Sequence, residues 1–77
     1  MKAEKLVMMA NQIGAFFGSQ KGAEAVHGIA DHIKKFWDPR MRAALFDHLK
    51  AGGAGLDPQV HRAAEQLAQE QSDLQKG

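Results

Sequence analysis

The sequence predicts a small, all-α single domain of about four short helices joined by Gly/Pro turns. Apolar residues recur at helical spacing in successive runs, and no stretch alternates with the period of two that a half-buried strand requires. Each gap between runs holds glycine or an Asp-Pro pair, both of which interrupt helices.

Residues 2–17 predict the first helix, with Leu6, Met9, Ala10, Ile13, Phe16 and Phe17 within one arc of the helical wheel. Val7 and Met8 fall outside that arc. Gly18-Ser19-Gln20-Lys21-Gly22 reads as a turn, with Ser19 placed to cap the next helix and Glu24 where a negative charge suits the dipole. The second helix spans about 22–37, with Val26, Ile29, Ala30, Ile33, Phe36 and Trp37 on its apolar face and Glu24, Asp31 and Lys35 opposite.

Asp38-Pro39 stops that helix, because a residue before proline avoids the helical region. The same pair starts the third: Asp38 accepts from orphan N–H groups and Pro39 takes the first helical position. Met41, Ala44, Leu45 and Leu49 form its stripe, ending near Lys50. Ala51-Gly52-Gly53-Ala54-Gly55 reads as a flexible connector with Gly52 as a left-handed cap. Leu56-Asp57-Pro58 repeats the cap-plus-proline device. The fourth helix carries Val60, Ala63, Ala64, Leu67 and Leu74 on a narrow face. From Gln66 the chain is polar, which divides it into a helical domain, 1–65, and a tail, 66–77, that frays towards its end.

A domain of 77 residues buries only about 60% of the surface its unfolded chain exposes. Alanine supplies 13 of the 34 apolar residues, so helices form readily around a thin core. Cysteine is absent, which removes disulfides and thiolate metal sites as supplements. A binding partner is the supplement left most open. The formal net charge of +1 is not the basic footprint of a nucleic-acid binder. Glu4 stands where a signal peptide would be basic, and no apolar run approaches a membrane span. The chain reads as soluble and cytoplasmic, with no membrane partner.

No catalytic device is evident. Ser19 and Ser72 have no nearby base, and Gly52-Gly53-Ala54-Gly55 lacks the Lys-Ser/Thr of a phosphate loop. His27 and His32 are not at the i, i+4 spacing of a helical zinc pair, and His48 and His61 lie on separate helices, so no metal ligands are assigned. His48 projects among Met41, Ala44 and Leu45. It reads first as a locally hydrogen-bonded residue at the core edge, and second as a polar contact inside an interface.

The candidates for partner binding are Val7, Met8, Phe36, Trp37, Arg40, Arg42, Phe46 and His48. Val7, Met8 and Phe46 are apolar groups off their helices' stripes. Phe36 fits the buried face of its helix. Trp37 fits it too, but its indole N–H needs a partner and it stands at a corner where another protein could supply one. Lys34, Lys35, Arg40 and Arg42 form a local basic cluster, either a solvated face near helix ends or a dock for acidic protein surface or phosphate. Two further readings stay open: a helix-turn-helix DNA binder using residues 39–50, and a free-standing homodimer that covers its own apolar surplus.

Leu6-Val7-Met8-Met9-Ala10-Asn11-Gln12-Ile13 with Phe16-Phe17 comes first, then Ala30-Asp31-His32-Ile33 through Phe36-Trp37-Asp38-Pro39-Arg40-Met41-Arg42, then Gly52-Gly53-Ala54-Gly55-Leu56-Asp57-Pro58. In that order and spacing the chain resembles the delta subunit of the soluble, molybdenum-containing, NAD-dependent formate dehydrogenases over roughly residues 3–62. The resemblance implies a small, cofactor-free, non-catalytic subunit that docks on the large alpha subunit and supports its assembly or stability. The alpha subunit would hold molybdenum pterin cofactor and iron–sulfur clusters, and other subunits FMN and a further cluster for reducing NAD. The family transfers no catalytic residue to this chain.

Overall fold

A computed structural model describes residues 2–18 and 22–76, with 73–76 described by backbone alone. The four apolar runs become α1 (Ala3–Phe16), α2 (Ala23–Phe36), α3 (Pro39–Lys50) and α4 (Pro58–Lys76). The cap expected at Ser19 and the face expected to include Leu74 lie outside the described residues and side chains. Gly22 precedes α2 with φ 57°, a conformation that costs glycine little.

The α2–α3 corner forms as its chemistry dictates. Asp38 Oδ1 accepts the Met41 N–H at 2.9 Å and Pro39 opens α3. The start of α4 differs in detail. Pro58 opens the helix and the Asp57 carbonyl accepts the His61 N–H at 2.8 Å. The Asp57 N–H is itself held by Asn11 Oδ1 at 3.0 Å.

The core sits between α2 and α4, which make the most extensive helix pair. Ile29 and Ile33 of α2 and Val60 of α4 are completely buried, as are Leu6 of α1 and Leu45 of α3. Burial of each such side chain contributes about 1.5–3 kcal/mol relative to leaving it in water. Buried alanines at 10, 25, 30, 63 and 64 fill the rest and let the helices approach closely. α1 crosses α4 closely at Gly14. A Cβ at Gly14 would stand 2.5 Å from Val60 Cγ2, so only glycine fits there. The core continues past residue 65, because Leu67 is buried and α4 runs unbroken beyond it.

The Gly-rich connector is fastened. Asn11 Nδ2 donates to the Gly55 carbonyl at 2.9 Å while its Oδ1 takes the Asp57 N–H, tying the loop to α1. His48 Nε2 donates to the Ala54 carbonyl at 2.8 Å. The left-handed conformation falls on three of its glycines, 52, 53 and 55, and Gly53 is buried under the His61 ring.

Two aromatic residues expected on buried faces lie outside. Phe16 is 80% exposed and Phe36 72%. The buried line of α1 runs Leu6, Ala10, Gly14, and Phe16 falls about 120° round the helix from Ala10 at ~100° per residue. At the end of α2, Trp37 leaves the helix with extended backbone (φ −86°, ψ 136°) and takes the inward place. Phe36, its neighbour, is left on the surface.

Candidate partner-binding surface

A shallow groove opens between α1 and α2. Phe17, just past α1, lays its ring over Gly28, where a Cβ would be 2.7 Å from Cε1. From there the groove, about 350 Å³, passes Phe16, Ile13 and Met9 on the α1 side and His32 on the α2 side, with Trp37 at its floor. Gln12 supplies a polar group to the lining.

The aromatic side chains along it touch in sequence. Phe16 meets Phe17 edge-on with ring centroids 5.2 Å apart. Phe17 faces His32 at 6.5 Å, and His32 stacks on Phe36 at 4.7 Å. Edge-on and offset contacts of this kind suit aromatic quadrupoles. They hold the strip in shape while leaving its outer rings in water.

The sequence candidates do not converge on this groove. Trp37, 6% exposed, belongs to it as its floor, and Phe36 lies beside it as an exposed ring stacked on His32. Met8 is exposed on α1. Val7 is half-buried against the connector, its Cγ1 3.3 Å from where a Gly55 Cβ would stand. Phe46 is half-buried and lines a different hollow between α3 and α4, with Ala43, Lys50 and Ala68. The His48 ring is held locally by the Ala54 carbonyl at 2.8 Å.

The basic cluster is largely committed inside the chain. Arg42 Nη1 donates to the carbonyls of Trp37 at 2.6 Å and Lys34 at 3.1 Å, satisfying groups that the end of α2 leaves unpaired. Lys34 pairs with Glu70 at 3.7 Å and Lys35 with Asp31 at 3.0 Å. Arg40 stays exposed and has no ion-pair partner among the described residues.

The four histidines serve separate places. His27 is exposed, His32 is stacked, His48 holds the connector, and His61 Nδ1 donates to Glu65 Oε1 at 3.1 Å. Among the described residues no group of three or more His, Cys, Asp or Glu is placed to hold a metal. No described helix is long and apolar enough to cross a membrane.

Sequence reasoning missed Phe16 and His32 as members of a surface strip. A signal was present: Phe16 and Phe17 are adjacent, and neighbours about 100° apart on a helix do not share one narrow buried line.

A family model described as the NADH-dependent formate dehydrogenase delta subunit FdsD matches residues 5–64. No curated protein and no solved structure matches the chain.

Proposed function

The chain belongs to the NADH-dependent formate dehydrogenase delta-subunit family, and from that membership we propose that it is a non-catalytic accessory subunit, docking on the large alpha subunit and supporting its assembly or stability. Formate oxidation and NAD reduction then belong to the other subunits, which carry the molybdenum pterin, iron–sulfur clusters and FMN. This chain has no cysteine with which to ligate a cluster. Its place is the cytoplasm, with the rest of the enzyme. The docking body is the segment 1–65, and the polar end from residue 66 is an extension of α4 that contributes less to recognition.

The observation that carries this reading is the exposure of Phe16 and Phe36 at a groove lined by Met9, Ile13 and Trp37. Exposed aromatic rings that adjoin one apolar groove, rather than being scattered singly, are what a protein contact surface offers. The test is co-expression with an affinity-tagged alpha subunit. The chain is expected to co-purify in fixed proportion, and its omission is expected to lower the yield or thermal stability of assembled enzyme. An enzyme that assembles, survives heating and turns over identically without the chain, and never retains it, would refute the reading.

A further inference from the structure

The groove's geometry and its charges say what kind of segment fills it. Its walls are two helices whose backbone N–H and C=O groups are already paired along their length. An extended peptide laid there would find no backbone partners for its own polar groups, which a buried strand requires. A helix brings its hydrogen bonds with it and packs side-chain ridges into the furrow between two others. The stretch of α2 from Gly28 to Phe36 spans about 12 Å at ~1.5 Å per residue, which matches a little over two turns of a facing helix.

The charges at the Trp37 end are basic and unspent. Lys5 precedes Met9 by one turn of α1 and is exposed, and Arg40 is exposed in the first turn of α3. Neither has an ion-pair partner among the described residues. The acidic groups nearby are engaged or turned aside. Asp31 holds Lys35, and Asp38 caps α3. Glu4 falls about 140° from Met9 round α1 at ~100° per residue.

We infer that the groove between α1 and α2 receives an amphipathic helix of the alpha subunit, with aliphatic side chains seated against Phe16, Phe36 and Met9 and a carboxylate at the end that meets Lys5 and Arg40. The inference rests on the accessory-subunit reading and adds the chemistry of the contact to it. The aromatic strip supplies the desolvated centre where binding energy concentrates, and the two cations set the direction in which the helix lies.

The native absence of cysteine makes the test direct. Gln12→Cys in the groove and Lys50→Cys on the α3–α4 side each create a single thiol for a benzophenone maleimide. Each labelled full-length chain is incorporated into the co-expressed enzyme and irradiated, and the adduct is mapped by peptide mass spectrometry. The expected adduct from position 12 lies on an alpha-subunit segment with apolar residues at helical spacing and an Asp or Glu at one end. Position 50 is expected to give none on that segment. Arg40→Glu is expected to weaken retention of the chain about tenfold or more, an effect that shrinks as salt rises. If the chain stays in the complex but position 12 marks another protein, a second copy of this chain, or a segment without a carboxylate, the inference fails while the accessory role stands. If the chain does not enter the complex at all, the accessory role fails and the inference falls with it.

Discussion

The Phe36 ring stacks on His32 with centroids 4.7 Å apart and is still 72% exposed. Its neighbour Trp37 is 6% exposed. One backbone turn at the end of α2 therefore separates a surface aromatic from a core aromatic, and substitution should separate their roles in the same way.

Phe36→Ser removes a ring that is mostly in water. The isolated chain should keep its stability to within about 0.5 kcal/mol, as surface changes generally do. Denaturant unfolding followed by far-UV circular dichroism checks this. A loss of several kcal/mol would mean that Phe36 is part of the core.

Trp37→Ala should behave in the opposite way. Emptying a buried indole costs about 3–5 kcal/mol, a large share of the ~5–15 kcal/mol that holds an ordinary domain together. The variant should be largely unfolded by circular dichroism. Trp37 is the sole tryptophan, so native emission should be blue-shifted and should move to the red on unfolding. Solvent-like emission from the folded protein would place the indole outside.

Gly14→Ala should destabilise. Alanine normally stabilises a helix interior relative to glycine by about 1 kcal/mol. Here the new methyl would stand 2.5 Å from Val60 Cγ2. Val60 is completely buried and β-branched, so it has little room to turn away. The net loss should be about 1–3 kcal/mol, read from the denaturant midpoint. A gain in stability would show that the α1–α4 crossing is looser than this.

Asn11→Ala should release the α3–α4 connector. Both ends of its amide are used, on Gly55 and Asp57. Loss of the two bonds should cost about 1–3 kcal/mol. More specifically, the Asp57 amide should exchange with deuterium faster while amides in the middle of α2 change little. Unaltered exchange at Asp57 would show that the loop holds its shape without α1.

The helices were legible because capping chemistry and apolar period act locally. Asp38-Pro39 announces a corner with no knowledge of the rest of the chain, and the observed α3 begins at Pro39. The connector was not legible. Gly52-Gly53-Ala54-Gly55 has the composition of a flexible link, and what fastens it is Asn11, more than forty positions earlier. Side-chain to backbone bonds of that range leave no local pattern. The groove was half legible. Phe36 was marked, but Phe16 passed for a core residue, because an apolar arc on a wheel does not say how much of it the neighbouring helices will cover. Here α4 meets α1 at Gly14, and Phe16 is turned away from that contact.

The exposed aromatic groove as the docking face is tested most directly by calorimetric titration of formate dehydrogenase prepared without this chain. The unaltered chain is compared with the double variant Phe16→Asp, Phe36→Asp, whose folding is verified by its melting curve. Each aromatic anchor accounts for about 2 kcal/mol. The double variant should therefore bind about 500-fold or more weakly at equal stability, at tenfold per ~1.4 kcal/mol. Equal affinity of the two proteins would contradict the account.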